Sequence, residues 1–399
     1  MSFFASRLGR IKPSPTIAVT TKAAELKAQG RDVIGLGAGE PDFDTPERIK
    51  LAARKALAEG HTKYTAVSGI PELKNAIRSK LKRDNQLDYD ASEIIVSAGC
   101  KQAEANVINT LFDDGDEVII PTPAWVSFSA MVELSGAQVK YLPCPESTGF
   151  LLDPEVLRRA ITPNTRGIML NSPSNPTGTV YHTGQLTELA RILLETDLWV
   201  MSDDVYEHIS YDGPVPHLFH IEPQLRGKGI VFNSLSKTYA MTGWRVGFAA
   251  GPKEVIGAAG RLQSQNSGNP NSVAQFAAIE ALTGPQDEVK NMAEEFRARR
   301  ELVVERIRKI PGFRLPNVPS GAFYAFPNVS ELFGLSADGR KLTDGDSVAA
   351  FLLEEAKVST VGGNDFNAPN HIRLSYATSR EKLNTAFDRV EQAVKKLSK

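Results

Sequence analysis

The chain has 399 residues, with 46 basic and 47 acidic side chains giving a formal net charge of −1, and 41% hydrophobic against 23% charged residues. No apolar run approaches the roughly 18 residues needed to span a bilayer, and no net field argues for nucleic acid or an anionic membrane surface as partner. Two cysteines, Cys100 and Cys144, exclude a disulfide framework and a Cys-rich metal site, so a reducing cytoplasm and small-molecule partners or a second copy of the chain are expected.

In chain order, the N-terminus carries Arg and Lys without an acid, the charge habit of a transit peptide, but Pro13 and Pro15 break an amphipathic helix early. Residues 1–12 are therefore read as an ordered arm. A single core stops growing near roughly 250 to 300 residues, so two lobes are expected. Thr45 is placed as the N-cap of a helix beginning at Pro46, which opens a large unit of residues 46–300.

Six short apolar runs follow: EIIVSA (93–98), EVIIP (117–121), RGIML (166–170), LWVMS (198–202), GIVFNS (229–234) and RVGFAA (245–250). They are continuous rather than alternating, as strands covered on both faces should be. Segments of helical spacing lie between many of them, including KQAEANVINTLF, WVSFSAMVELSG and TGQLTELARILLE. The alternation predicts an α/β fold, a mostly parallel sheet with helices on both faces.

Residues 285–311 read as a long charged amphipathic helix whose charge is a solvated face. It links the large unit to a smaller one of residues 13–45 plus 312–399, where AFYAF, KVSTV and HIRLSY supply shorter strands. A capping box from Thr378 to Glu381 opens the last helix.

In an open parallel sheet, ligands gather at the carboxyl edges of the strands, so the residues after each run are the site candidates. Gly99, Cys100 and Lys101 lead into a helix and form an anion site from its exposed N–H groups. No GxxxxGK[ST] is present, and the glycines of GLGAGEP are wrongly spaced for GxGxxG. NSPSNPTG (171–178) is turn chemistry taken alone, and DDVYEH (203–208) sets two acids at a strand end. SLSKTYAMTGWR (234–245) sets Lys237 at the end of a buried strand, where it either snorkels to water or is held with altered ionisation. The six histidines, His61, His182, His208, His217, His220 and His371, show no metal-ligand spacing, so no metal is expected, and there is no GxSxG elbow. An anion cradle, an Asp, a Lys and an Arg at neighbouring strand ends are what pyridoxal 5′-phosphate requires.

The ordered motifs KPSPTIAV, GAGEPDFDTP, KYTAVSGIPEL, NSPSNPTG, SDDVYEH, SLSKTYAMTGWRVGF, PSGAFY and HIRLSYATS cover nearly the whole chain. With them the sequence resembles the class I aminotransferases of fold type I, in the bacterial aspartate and aspartate/prephenate branch. The resemblance implies a three-layer α/β/α sheet with a smaller α+β domain, and a homodimer with shared active sites. It also implies a pyridoxal phosphate ping-pong transfer from L-aspartate to 2-oxoglutarate.

By the same resemblance, Lys237 forms the Schiff base and moves the proton between the amino-acid α-carbon and cofactor C4′. Asp203 pairs with the ring nitrogen, Tyr206 and Asn175 with the ring 3′-oxygen, and Trp125 stacks on the ring. Gly99, Cys100, Lys101, Ser234, Ser236 and Arg245 hold the phosphate, and Tyr64 reaches the phosphate of the neighbouring subunit. Arg373, with Asn175 and the Gly39 backbone, clamps the substrate α-carboxylate, while Lys12 and Thr16 meet a distal carboxylate.

The chain departs from the branch at Cys100, where a second glycine is usual, at Ala124 and Phe128 beside Trp125, and in TVGGNDF (360–366). These touch substrate preference and leave open an aromatic, prephenate or broad-specificity aminotransferase; a less favoured rival, a C–S lyase, would use the same Schiff base for elimination. A regulator that keeps the fold without the chemistry is disfavoured, because Lys237, Asp203, Arg245 and Arg373 occur together.

Overall fold

The structure, a computed structural model, describes residues 3–11, 13, 15–337 and 339–398, apart from the side chains of residues 15–18 and 20. Fourteen strands occur among them. β1 (Ile34–Gly35) comes first, then β2 (Ile94–Ser97), β3 (Glu117–Thr122), β4 (Gln138–Pro143) and β5 (Thr165–Asn171). β6 (Trp199–Asp203), β7 (Gly229–Ser234) and β8 (Gly247–Ala250) follow. The remainder are short: β9 (Tyr324–Ala325), β10 (Ser336–Ala337), β11 (Arg340–Lys341), β12 (Val358–Ser359), β13 (Val361–Gly362) and β14 (Ile372–Ser375).

Seven strands make the main sheet in the order β2-β8-β7-β6-β5-β3-β4. All neighbours are parallel except β8, which runs antiparallel to both β2 and β7. The expected mostly parallel α/β sheet is thus present with one reversed strand. Lys237 and Arg245 both lie in the connection from β7 to this reversed β8.

Each apolar run is buried on both faces. Ile95, Val118, Ile120, Met201, Ile230 and Phe232 join one apolar cluster with Val107, Ile108 and Phe128 of the covering helices. Their chain neighbours Ile94, Val96, Ile119, Val200 and Val231 join another with Leu73, Ile77, Leu186 and Leu189. Successive strand side chains alternate between faces, so a sheet covered on both sides needs apolar residues at every position. At roughly 1.5 to 3 kcal/mol per buried Val, Leu or Ile, these two layers dominate the stability of the sheet.

β4 is missing from the sequence reading because QVKYLP is exposed at both its ends. It pairs only with β3, at the sheet edge, where one side needs no apolar cover.

A third cluster lies outside the sheet, joining Ile34 and Leu36 to Phe296, Val303, Tyr324, Leu352, Ile372, Leu374 and Phe387. β1 pairs with β12, and β13-β14-β9 form a small antiparallel sheet around Arg373. The run KVSTV is therefore two strands with different partners rather than one.

Three local expectations are corrected. Thr45 does not cap: the helix is Glu47–Ala58 with Pro46 before it, and the Thr45 hydroxyl donates to the Ala240 carbonyl while accepting from Trp244 Nε1. The last helix, Arg380–Val394, is capped by Ser379 rather than by a Thr378 box. The long helix, Asp287–Ile307, is not simply solvated: Arg299 is 5% exposed and grips Asp42 with Nη1 and Nη2 at 2.6 and 3.1 Å. That bidentate pair ties the helix to the GAGEPDFDTP segment, which runs on to the cavity. No helix among the described residues is long and apolar enough to cross a membrane.

Candidate active site

A cavity of about 380 Å³ opens at the carboxyl ends of β5, β6 and β7. Lys237 enters it from the single helical turn Leu235–Thr238 that follows β7. Ser234 ends the strand and its hydroxyl accepts from the Ser236 amide at 3.3 Å, which fixes where the turn starts and so where Lys237 points. The ammonium donates to the Gly39 carbonyl. Burial lowers its pKa to about 8, Arg373 and Arg245 push the same way, and Glu40 and Asp203 oppose them. Lys237 does not snorkel; it is held buried in the cavity with its ionisation shifted toward neutral pH.

Asp203 is the last residue of β6 and its Oδ1 accepts the Val205 N–H at 3.1 Å. Burial raises its pKa to about 7, reinforced by Asp204 and opposed by the Val205 amide and Lys237. Asp204, beside it, is engaged elsewhere: it accepts from Ser202 at 2.7 Å and meets His217 Nε2 at 2.9 Å.

The loop after β5 is held by its own asparagines. Asn171 accepts the Asn175 amide at 2.9 Å and donates to the Asp203 carbonyl at 3.0 Å, so NSPSNPTG is locked onto the end of β6. Asn175 then accepts from Arg373 Nη1 at 2.8 Å, and Arg373 Nη2 donates to the Gly37 carbonyl at 2.8 Å. Arg373 is 1% exposed, lies over the Tyr324 ring at 4.5 Å, and has no hydrogen-bond partner at Nε. A buried guanidinium with neutral partners only is an anion site in waiting.

At the opposite end, Gly99 caps the helix Cys100–Leu111 in the left-handed region at φ 90°, and a Cβ there would run into the Arg245 guanidinium. Only glycine allows that approach. The Cys100 and Lys101 amides, in the first turn, have no acceptor within the helix. Arg245 is itself left-handed at φ 56°, with Nη1 donating to Thr242 O at 2.9 Å and Nη2 to Ala98 O at 3.3 Å. Ser236, Trp125 and Lys101 also line the cavity, with Lys101 Nζ 4.8 Å over the Trp125 ring.

The structure therefore brings Gly39, Cys100, Lys101, Trp125, Asn175, Asp203, Tyr206, Ser234, Ser236, Lys237, Arg245 and Arg373 to one cavity, with Gly99 behind Arg245. Tyr64 is apart from it, 98% exposed. Lys12 and the Thr16 side chain lie outside the described residues.

Several lining residues escaped sequence reading, Tyr324, Asn171 and Glu104 among them. Tyr324, inside the quoted PSGAFY, shares a 2.8 Å hydroxyl contact with Tyr206. Asn171 is the first residue of NSPSNPTG. Glu104 lies four residues after Cys100, on the same helical face, and that spacing was the available signal.

The family model described as aminotransferase class I and II matches residues 31–390. The chain is 49% identical over 394 residues to the aspartate/prephenate aminotransferase of Cereibacter sphaeroides, covering 98% of each, and 46% identical to the aspartate aminotransferase of Geobacillus stearothermophilus, covering 97% and 98%. Among solved structures, the aspartate aminotransferase of Rhizobium meliloti superposes with TM-score 0.96 at 44% identity over 100% of both chains. That of Thermus thermophilus with maleate superposes at 0.92 and 43%, over 98% of this chain and 100% of the other. From a family match over most of its length and relatives over nearly all of it, this chain belongs to the class I and II aminotransferases.

Proposed function

We propose that this enzyme moves an amino group from L-aspartate to 2-oxoglutarate, yielding oxaloacetate and L-glutamate in two half-reactions that share one site. The observation that carries the reading is Arg373: a buried guanidinium with no acid partner among the described residues, in the same cavity as Lys237 with its lowered pKa and a buried Asp203. A bidentate carboxylate meets the first, and substrate α-carbon chemistry needs the second.

Enzymes of this family generally use pyridoxal 5′-phosphate, and the residues present fit it. The close approach of Arg245 over Gly99, the free first-turn amides of the Cys100 helix, Ser234, Ser236 and Lys101 suit a dianionic phosphate. Asp203 suits a protonated ring nitrogen, Trp125 the ring face, and Tyr206 with Asn175 the ring 3′-oxygen. When bound, the cofactor supplies an electron sink for the pair released as the α C–H bond breaks.

The chain's own residues do the rest. Arg373, with Asn175 and Gly39, orients the α-carboxylate. Lys237, whose lowered pKa leaves it usable as a base near neutrality, would take the α-proton and, with the cofactor bound, deliver it at the cofactor's C4′. Asp203 holds positive charge at the ring.

The relatives are aspartate aminotransferases by name, and the Thermus structure is one with maleate, a four-carbon dicarboxylate. Lys12 and Thr16 are our candidates for the distal carboxylate. Prephenate is the second acceptor to test, because the Cereibacter relative is named for it. The enzyme is proposed to work as a cytoplasmic homodimer, with Tyr64 of one protomer serving the phosphate of the other; its 98% exposure leaves it available. The proposed division is an arm (1–12), a large unit (46–300), a linking helix (285–311) and a smaller unit (13–45 plus 312–399), a reading supported by the third cluster lying outside the main sheet.

Borohydride reduction followed by peptide mapping should fix the cofactor on Lys237. The substrate reading is tested by kcat/KM for aspartate, glutamate, phenylalanine, tyrosine and arogenate against a panel of 2-oxo acids. Turnover without any 2-oxo acid would replace it with the C–S lyase.

A further inference from the structure

Glu104 is fully buried, lines the cavity, and has no part in the roles assigned above. One of its carboxylate oxygens, one of Asp203 and Cys100 Sγ lie within 4.8 Å of one another. The Cys100 thiol is its one donor, weak and at 3.8 Å to Oε1, while Oε2 is buried without any hydrogen-bond partner. The nearest cation on its own helix, Lys101, is turned over the Trp125 ring instead.

Two buried carboxyls this close do not both ionise, so the pair holds a proton. The groups facing it are Cys100 and Lys101 from the helix, Asp203 and Asp204 from the end of β6, and Lys237 from the turn after β7. Asp204 is already committed to Ser202 and His217. Asp203 has the Val205 amide and Lys237 to favour its charge; Glu104 has Lys101, which is turned over the Trp125 ring, and the weak thiol. The proton therefore resides on Glu104.

We infer that Glu104 stands as a neutral acid beside Asp203 and is a positioning residue: its hydroxyl, directly or through one bridging water, is given to the Asp203 carboxylate and holds it ionised and aimed for the cofactor ring nitrogen. This rests on the reading of Asp203 as the ring-nitrogen partner. Burial pushes both carboxyls upward, Glu104 well above its ordinary value, in keeping with that division of the proton.

The test is the affinity of the full-length, cofactor-free chain for pyridoxal 5′-phosphate from pH 5.5 to 9, by equilibrium dialysis read as cofactor absorbance. Glu104→Leu fills the same space without a donor; Glu104→Gln keeps a donor. Losing a donor to a charged carboxylate is worth about one pKa unit, so the acid-side midpoint for Glu104→Leu should move up by about one pH unit. With the Asp203 pKa at about 7, that means roughly fivefold weaker binding at pH 7 and convergence by pH 9. Glu104→Gln should stay within about twofold of wild type, a rescue that a packing role would not produce.

Asp203→Ala separates the two readings. If it binds the cofactor as wild type does, the ring-nitrogen reading fails and the inference with it. If Asp203→Ala is weakened while the Glu104→Leu curve overlays wild type, or while both Glu104 variants are displaced alike, the inference alone is overturned.

Discussion

Arg373 and Asn175 stand 198 positions apart in the chain and meet at 2.8 Å, the arginine donating from the small sheet to the loop that ends β5. With the Gly37 carbonyl on Nη2, the guanidinium is fixed in one orientation before any substrate arrives, leaving Nε without a protein partner. Preorganisation of this kind spares the cost of ordering the side chain at binding.

Arg373→Lys keeps the charge and loses the fork. A hydrogen bond to a charged group is worth about 1.5 to 3 kcal/mol, so kcat/KM for the amino acid should fall about 10- to 150-fold. Cofactor affinity should stay within about twofold. Steady-state kinetics beside a cofactor titration checks this; an equal loss in both would detach Arg373 from the substrate.

Asp203 makes a pH-dependent prediction. Its carboxyl titrates near 3.9 when unfolded and at about 7 when folded, so between those values the folded chain binds more protons. Stability from this group is present at low pH and declines as pH rises toward 7, leaving a constant cost above it. In cofactor-free protein, Asp203→Asn should therefore raise Tm at pH 8 by several degrees and raise it less at pH 5.5. Calorimetry giving the same difference at both pH values would contradict the buried, raised carboxyl.

Tyr206 and Tyr324 share a buried hydroxyl contact at 2.8 Å, and each phenol is pushed upward by burial. Either Phe substitution leaves one hydroxyl unmatched and should cost about 1 to 3 kcal/mol, whereas the double variant removes both partners and should cost less than the sum. Urea denaturation of the four proteins in the cycle measures the coupling. Strict additivity would show that the contact contributes nothing.

Arg299 makes its bidentate pair with Asp42 while Nε donates to Glu295 at 2.9 Å. Asp42→Asn should destabilise the chain by about 1.5 to 3 kcal/mol, because the buried guanidinium keeps its charge and loses one of its two carboxylate partners, the bidentate one. Since Asp42 is three residues from the Gly39 carbonyl that receives Lys237, kcat should fall as well. Full activity with lowered Tm would confine the pair to stability.

The amino-acid sequence by itself determined the layers and the reacting groups. Continuous apolar runs located six of the seven main-sheet strands, because a strand covered on both faces is written in one unbroken apolar word; β4, exposed at an edge, carries no such word. The residues after those runs located Lys237, Asp203 and Gly99, since a parallel sheet presents its chemistry at carboxyl ends.

Pairings over long separations were decided by the tertiary structure alone. No local pattern announces that β8 runs backwards between β2 and β7, that Thr45 spends its hydroxyl on Ala240, or that Arg299 of a charged helix is buried against Asp42. Tyr324 and Glu104 enter the site only when the fold sets them against Tyr206 and Asp203. Ionisation follows the same division. The letters Lys and Asp give ordinary pKa values, and only burial among specific neighbours moves Lys237 down to about 8 and Asp203 up to about 7.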